Sequence, residues 1–401
     1  MKRSILITLL ALIPLLACAQ NPTQEQFMQF SRNQEKTLRE LIQKKDFLTW
    51  EKGLESWLDK YMQLSPKDQK ELLPIKSSIY YDLACAYSLN KKKQLALNAF
   101  KEAIDAGFSY YYHALQDSDL DFIRDERSFA KQMKRLRKVG NYLYILKKAN
   151  KYTTAPPKAF PTFTYQSADN ENLVRIRKYF NLDSIAGKGD DISQIKNLLY
   201  WVHNIVSHDG SSDNPKSKNA IDLIEICKKE KRGVNCRMMA TILNECYLAM
   251  GYKSRFVTCM PKSETDQDCH VINIVYVPSL RKWVWMDPTF NAYVTDEKGT
   301  LLNIAEVRTR LIRGLPLVLN EDANWNNKTK QTKEKYLDSY MAKNLYWFDI
   351  YVHSEYNTET QVKGKKYNPR ILLYPKGYKR STDSKYLSIT TNADYFWQLP
   401  E

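Results

Sequence analysis

Cys236 stands where a helix is predicted to begin, in the stretch GVNCRMMATILNECYLAMG at residues 233–251. Gly233 permits a tight turn, and Asn235 is a good N-cap residue. A thiol in the first turn lies near free backbone N–H groups and the positive end of the helix dipole. Four basic residues just upstream add positive charge: Lys228, Lys229, Lys231 and Arg232. Such surroundings lower the pKa of a thiol, and the thiolate is the reactive form. The pattern therefore predicts a nucleophile.

A nucleophilic cysteine needs a general base, and the base needs a group that orients it. His270 begins the predicted strand HVINIVYV, and Asp287 ends the predicted strand KWVWMD. If these strands form a hairpin about PSLR at residues 278–281, the two side chains lie together at its open end. The carboxylate would then fix the imidazole tautomer and leave one ring nitrogen for the sulfur. Asp268 is an alternative orienting residue, and Asp287 could instead cap the turn before Pro288.

An oxyanion hole needs two hydrogen-bond donors near the developing negative charge. The backbone N–H of Cys236 is one candidate. The second should come from the segment before the helix, and the sequence offers four choices there: Trp201, His203, Asn204 and His208. Structural or surface roles remain the default for His113, His203, His208 and His353.

The sequence predicts other roles for the remaining cysteines. An apolar stripe at helical spacing over about 236–250 includes Cys246, so this thiol is predicted to pack in the core. Cys259 and Cys269 flank a strand connection and could pair with each other in an oxidising compartment. The chain has no C-x-x-C and no H-E-x-x-H pattern, so we expect neither a metal nor a cofactor.

The segment from about 24 to 150 is predicted to be helical, because apolar residues recur at spacings of three and four. Within it, seven residues keep the spacing of a tetratricopeptide repeat: Tyr80, Leu83, Ala84, Tyr87, Ala96, Phe100 and Ala103. Such a unit either binds peptides or supports the following domain. The prolines of TTAPPKAFPTF at residues 153–163 favour extended backbone and predict a linker.

Beyond the linker, helices are predicted over 191–207 and 221–230, followed by three strands from Arg255. The segments YWFDIYVHSEY, RILLYP and YLSITT are strand-like as well. They are predicted to form either a small β-rich appendage or extra strands on the central sheet.

Taken in order, GVNC, MGYKSRFV and HVINIVYVPSLRKWVWMDPT resemble the transglutaminase-like superfamily, which shares the papain-like cysteine-enzyme fold. The resemblance covers roughly residues 190–300. It implies that Cys236 is the nucleophile, His270 the general base and acid, and Asp287 the orienting residue. One departure is that Val234 and Asn235 separate the glycine from the cysteine, where the family often has Gly-x-Cys.

These observations predict an α+β fold with a papain/transglutaminase-like core, in which a helix packs on an antiparallel sheet. The predicted divisions are a leader at 1–19, a helical repeat-like domain at 20–150 and a linker at 151–170. The core follows at 171–330 and a β-rich segment at 331–401. The resemblance implies an acyl-transfer enzyme acting on amide or peptide bonds, as a peptidase, an amidase or a transglutaminase. The alternative is a non-catalytic scaffold that binds proteins of the cell envelope.

The first nineteen residues predict export, since Lys2 and Arg3 precede the short apolar run SILITLLALIPLLA. LLAC resembles a bacterial lipobox that would place a lipid anchor on Cys18, whereas ACA also suits ordinary cleavage before Gln20. A bacterial cell-envelope location follows, with protein or peptidoglycan peptides as substrates and a possible protein partner for the helical repeats. The net charge is +16. We interpret it as a solvated basic surface and expect no nucleic acid, because no nucleic-acid-binding motif occurs.

Overall fold

The computed structural model describes residues 22–154, 160–266, 268–364, 367–383 and 388–401. The predicted leader with Cys18 lies outside the described residues, as do Pro156 and Pro157 of the predicted linker. Within the described ranges, no helix is long and apolar enough to cross a membrane. The chain divides after Gly140 into two compact units.

The first unit is helical because its apolar residues recur on one face of each helix. On the second helix, Trp50, Leu54, Trp57 and Tyr61 follow this spacing and are all buried. The helices are α1 Gln24–Gln43, α2 Phe47–Met62, α3 Pro66–Glu71, α4 Leu73–Leu89, α5 Lys93–Asp105, α6 Tyr111–Gln116 and α7 Arg127–Gly140, with a 3₁₀ segment at Ser118–Ile123.

Helices α4 and α5 pack against each other as a hairpin. Ala84 and Ala96 are completely buried, and the large ring of Phe100 is buried with them. Small residues at such positions let two helices approach closely. The predicted helical region is therefore present, while its identity as a tetratricopeptide repeat stays a prediction.

The second unit, residues 141–401, combines helices with a central sheet. Its helices are α8 Tyr142–Lys147, α9 Glu171–Tyr179, α10 Leu182–Ala186, α11 Asp191–Ile205, α12 Ala220–Glu230, α13 Cys236–Ala249, α14 Ile304–Arg313, α15 Ala342–Asn344 and α16 Ala393–Phe396. A 3₁₀ turn occupies Pro278–Leu280, and a π-helix occupies Glu334–Met341. Its strands are β1 Thr164–Tyr165, β2 Ser254–Met260, β3 His270–Val277, β4 Lys282–Met286, β5 Val294–Thr295, β6 Val318–Leu319, β7 Asn324–Trp325, β8 Thr329–Lys330, β9 Trp347–Tyr351, β10 His353–Ser354, β11 Arg370–Leu373 and β12 Ser388–Thr390.

The central sheet has six strands in the order β12-β11-β9-β2-β3-β4. Neighbouring strands are antiparallel except for the parallel pair β11–β12. Strands β3 and β4 form the predicted hairpin about residues 278–281. The C-terminal strands therefore extend the central sheet, and β9 lies between β11 and β2.

Both faces of this sheet are covered, which explains why β3 is almost continuously apolar. Val275 and Val277 belong to a core shared with α9, α11, α12 and α13. Ile272 and Ile274 point to the opposite face, into a core shared with α8, α14 and the C-terminal segment. Alternate residues of a strand point to opposite faces, so one strand supplies both cores.

The predicted fold class is confirmed: helix α13 packs on β2 and β3 of a mainly antiparallel sheet in an α+β architecture. The division after Gly140 falls ahead of the predicted boundary at residue 150. Its physical reason is that Leu146 of α8 is buried in the core of the second unit. The other predicted boundaries stay predictions.

The position of β9 inside the sheet gives a testable consequence for stability. Phe348 of β9 is fully buried and lies opposite Cys259 on one side and Leu373 on the other. We expect Phe348→Ala to lower the free energy of unfolding of the second unit by about 3–5 kcal/mol. Urea unfolding followed by tryptophan fluorescence measures this change. Tyr367→Ala, at a residue that is 74% exposed, is the matched control and should change it by less than about 0.5 kcal/mol. Equal effects of the two substitutions would contradict a structural role for β9.

Candidate active site

Helix α13 begins at Cys236, as the sequence predicts. The side chain of Asn235 accepts a hydrogen bond from the Met238 backbone N–H at 3.1 Å and so caps the helix. Gly251 follows the helix with a φ of 85°, a conformation that glycine adopts without strain. Asn273 of β3 donates a hydrogen bond to the Ala240 carbonyl at 2.9 Å, which fixes the first turns of α13 against the sheet.

Glycine is required at position 233 for a reason other than the predicted tight turn. A Cβ atom added at Gly233 would lie 2.5 Å from the Ser207 carbonyl oxygen and 2.9 Å from the Asp209 Cβ. Residues 207–209 run close beside this position, since Val234 N–H donates to the Ser207 carbonyl and Asp209 N–H donates to the Val234 carbonyl. Glycine is therefore needed because two backbone segments approach closely.

Cys236 is a half-buried residue at the start of α13, and His208 and His270 are the two side chains that act on its thiol. Burial favours the neutral thiol, but the hydrogen bonds from His208 and His270, the charge on His270 and the Val271 backbone N–H outweigh it. Together they lower the pKa of Cys236 from 9.0 to about 6. Of the four upstream basic residues, Lys228 pairs with Glu225 and Arg232 pairs with Glu230.

His270 and Asp287 meet in the interior of the protein. The ring Nε2 of His270 lies 2.6 Å from Oδ2 of Asp287, and the two side chains are 1% and 0% exposed. The ladder between β3 and β4 ends at the pair of Asn273 and Met286, so this contact lies just beyond the last paired residues. Because Nε2 faces the carboxylate, Nδ1 is the ring nitrogen left for the sulfur.

The charge of Asp287 determines the protonation of His270. Burial disfavours the charged imidazole, but the neighbouring carboxylate and the hydrogen bonds to Asp287 and Cys236 outweigh burial. They raise the pKa of His270 from 6.5 to about 10. Between about pH 6 and pH 10 this arrangement therefore holds a thiolate beside an imidazolium, which titrate as a coupled pair.

Asp287 is itself held by groups that the sequence analysis did not identify. Its Oδ1 accepts the Thr289 backbone N–H at 2.9 Å, and its Oδ2 accepts the Tyr336 hydroxyl at 2.5 Å. Burial and the nearby Asp287 raise the pKa of Tyr336 well above 10, so the hydroxyl stays a donor. Trp285 donates its indole N–H to the same hydroxyl at 3.2 Å.

The π-helix carries two tyrosines to the site. Tyr336 contacts Asp287, and the ring of Tyr340 lies 5.2 Å from the ring of His270 in an edge-to-face arrangement. The segment EKYLDSYM has the pattern of an ordinary amphipathic helix. Nothing in it signals contact with Asp287, 49 residues earlier, or with His270. Isolated π-helical turns occur frequently at functional sites.

Of the four candidate oxyanion donors, His208 is the one whose hydrogen bonding lowers the pKa of the Cys236 thiol. His203 is buried, with its ring nitrogens 3.0 Å from the Pro288 carbonyl and 3.0 Å from Asn324 Oδ1. Asn204 bonds to Tyr200 and Asn327 at the surface, and Trp201 packs its ring against Phe180.

The remaining sequence candidates lie outside this arrangement. Asp268 is largely exposed and pairs with Lys343 rather than with the histidine. Cys246 is fully buried on α13 as predicted. Cys259 and Cys269 are free thiols.

Among the described residues, one group of side chains could hold a metal ion, and it lies in the first unit. Cys85, Asp117 and Asp119 bring potential ligand atoms within 4.8 Å of one another. Asp117 already accepts the Tyr81 hydroxyl at 2.6 Å.

The transglutaminase-like superfamily matches residues 179–288, a range that contains Cys236, His270 and Asp287. This part of the chain is similar to transglutaminase-like domains, and the predicted family resemblance is confirmed over these residues. The match supports a cysteine-enzyme fold there.

A solved structure from Cytophaga hutchinsonii, named "Putative Cysteine Protease", shares 20% sequence identity with this chain, with a TM-score of 0.24. The alignment covers 32% of this chain and 40% of that one, so it spans less than half of the Cytophaga protein. A search of the curated proteins found no match.

The coupled titration of Cys236 and His270 predicts the pH dependence of thiol reactivity. We expect the rate of alkylation of Cys236 by iodoacetamide to reach half its maximum near pH 6 and to stay level up to about pH 10. His270→Gln cannot carry the positive charge, so the half-maximum should move up towards the ordinary thiol value of about 8.5. Labelling at pH 7 should then fall about tenfold or more. Peptide mass spectrometry measures the rate at each cysteine. A half-maximum near pH 8.5 in the unaltered protein would contradict the thiolate–imidazolium pair.

The crowding at Gly233 predicts that alanine is tolerated much less well there than at Gly210. Gly233→Ala must push residues 207–209 aside, so we expect it to lower the free energy of unfolding by about 1–3 kcal/mol. It should also slow alkylation of Cys236 at pH 7, because the segment that moves carries His208. Gly210→Ala is the matched control, because its added Cβ would meet His208 Cε1 at an ordinary 3.4 Å. Thermal unfolding and the same labelling assay test the pair, and indistinguishable variants would refute the close approach.

Proposed function

We propose that this protein is an exported cysteine-dependent acyl-transfer enzyme that acts on amide or peptide bonds. One observation carries the proposal: His270 stabilises the thiolate of Cys236, and its Nε2 lies 2.6 Å from the buried carboxylate of Asp287. A nucleophile, a base and an orienting group in this sequence of contacts are the recognised signature of covalent catalysis. Cys236, His270 and Asp287 are the proposed catalytic groups.

In the first half-reaction the Cys236 thiolate attacks the carbonyl carbon of the amide. A carbon–sulfur bond forms, and the carbonyl π electrons move onto the oxygen. When the carbonyl re-forms, the carbon–nitrogen bond breaks, and the imidazolium of His270 gives its Nδ1 proton to the departing amine. The products of this step are a free amine, a neutral His270 and a thioester on Cys236.

In the second half-reaction, water or an amine attacks the thioester. His270 Nδ1 takes a proton from the attacking group, the new bond to carbon forms, and the carbon–sulfur bond breaks. The sulfur leaves as the thiolate and the imidazole is again protonated, so the starting pair is restored. Water gives hydrolysis, as in a peptidase or amidase, and an amine gives cross-linking, as in a transglutaminase.

The proposed substrates are proteins or peptides, with peptidoglycan peptides as one candidate. Cys236 is not fully buried as a residue, so a substrate carbonyl can approach it from the protein surface. We further propose a cell-envelope location, either as a lipoprotein anchored at Cys18 or as a cleaved exported protein. That proposal depends on the leader at 1–19.

Acylation of the thiol tests the function directly. p-Nitrophenyl acetate should acetylate Cys236 with a burst of p-nitrophenolate, and hydroxylamine should then accelerate turnover by attacking the thioester. Cys236→Ser should abolish the burst. Cys269→Ser, which alters another half-buried cysteine next to His270 in the sequence, is the matched control and should retain the burst.

The same preparations, supplied with a library of blocked peptide amides and hydroxylamine, should yield hydroxamates only when Cys236 is present. Mass spectrometry identifies both the acetylated residue and the products. Acetylation spread equally over the free cysteines would sink the proposal. It would favour the alternative, a non-catalytic scaffold that binds envelope proteins.

A further inference from the structure

A single hydrogen bond fixes which nitrogen of His208 carries its hydrogen. The indole Nε1–H of Trp325 lies 3.2 Å from Nδ1 of His208, and the two rings meet edge to face. An indole N–H can only donate. Nδ1 must therefore be the acceptor, and in the neutral ring the hydrogen resides on Nε2. Because Nδ1 faces Trp325, this Nε2–H is the group that His208 offers to the thiol of Cys236.

Backbone and side-chain hydrogen bonds hold the backbone of His208 beside the residues that precede helix α13. His208 forms a parallel bridge with Val234, two residues before the nucleophile. The side chain of Asn326 accepts the His208 N–H at 2.7 Å and donates to the His208 carbonyl at 2.9 Å. Asn326 and Asn327 have φ values of 53° and 54° in the turn between β7 and β8, which places Trp325 and Asn326 beside His208.

We propose that His208 is a catalytic residue whose Nε2–H is the second oxyanion donor, and that Trp325 positions it by fixing this tautomer. The inference rests on the proposed acyl-transfer function. The first donor is the backbone N–H of Cys236, which lies in the first turn of α13 and has no helical carbonyl partner. Before the attack, hydrogen bonding by His208 stabilises the Cys236 thiolate. When sulfur attacks, negative charge moves to the carbonyl oxygen, and both donors stabilise it there.

Two reactions of the same sulfur separate this role from a merely structural one. Alkylation by iodoacetamide displaces iodide from a saturated carbon, so no carbonyl oxygen gains charge. Acetylation by p-nitrophenyl acetate forms a carbon–sulfur bond, moves the carbonyl electrons onto oxygen and then expels p-nitrophenolate with its electron pair. Only acetylation needs the oxyanion donors. Both rates should be measured at pH 9, where the thiolate is formed even when a hydrogen bond to sulfur has been removed.

We expect His208→Ala to slow the acetylation burst at least tenfold while alkylation of Cys236 at pH 9 stays within about twofold of the unaltered protein. His208→Gln keeps an N–H donor at the side-chain end and should recover much of the acetylation rate. Trp325→Phe should slow acetylation several-fold, because the tautomer is no longer fixed.

Trp201→Phe, at a tryptophan that packs against Phe180, is the matched control and should leave both rates unchanged. Nitrogen chemical shifts of His208 should report an Nε2–H ring that becomes a tautomer mixture in Trp325→Phe.

Each result decides the inference. Acetylation that is unchanged relative to alkylation in His208→Ala overturns it and leaves the proposed function standing, provided Cys236→Ser is inactive. Equal loss of both reactions also overturns it, because His208 would then only maintain the fold. If Cys236→Ser removes no activity, the proposed function itself is wrong. This outcome is distinct from the two outcomes for His208→Ala.

Discussion

The contact between His270 and Asp287 is the interaction on which the rest of the site depends. A carboxylate without exposure to water is very costly unless it is paired and hydrogen-bonded. Asp287 meets this requirement through His270, Tyr336 and the Thr289 backbone N–H. Removing one partner from such a buried pair typically costs about 3–5 kcal/mol. The folded chain therefore has a strong energetic reason to hold the imidazole in one orientation.

That constraint explains why distant segments converge on one end of the sheet. Strand β3 supplies His270, the end of β4 supplies Asp287, and the π-helix supplies Tyr336 and Tyr340. Helix α13 presents Cys236 from the other side of β3, held by the bond between Asn273 and the Ala240 carbonyl. Cys236 as a residue is half-buried, while His270 and Asp287 are almost completely buried. The buried pair therefore sets the charge beside the thiol.

The C-terminal third of the chain is part of this arrangement. Strand β9 pairs with β2, and the π-helix just before β9 contacts the carboxylate. The β7–β8 turn lies against His208 in the same way. The transglutaminase-like match ends at residue 288, so residues beyond it complete the surroundings of Asp287 and of His208. Those additions are the features of this chain that family resemblance does not provide.

Local sequence predicted the elements nearest the site and proposed Cys236, His270 and Asp287 as its candidate residues. The N-cap at Asn235, the helix to about residue 250 and the hairpin about residues 278–281 follow from capping, periodicity and turn chemistry, which act between near neighbours. His270 and Asp287 could be paired in advance because a hairpin has a fixed geometry. Tyr336, Trp325 and the crowding at Gly233 could not be foreseen in the same way. Their contacts join residues far apart in the chain, and only tertiary packing decides which distant segments meet. Sequence periodicity specifies which face of a segment is buried, whereas the partner on that face is selected by the packing of the whole unit.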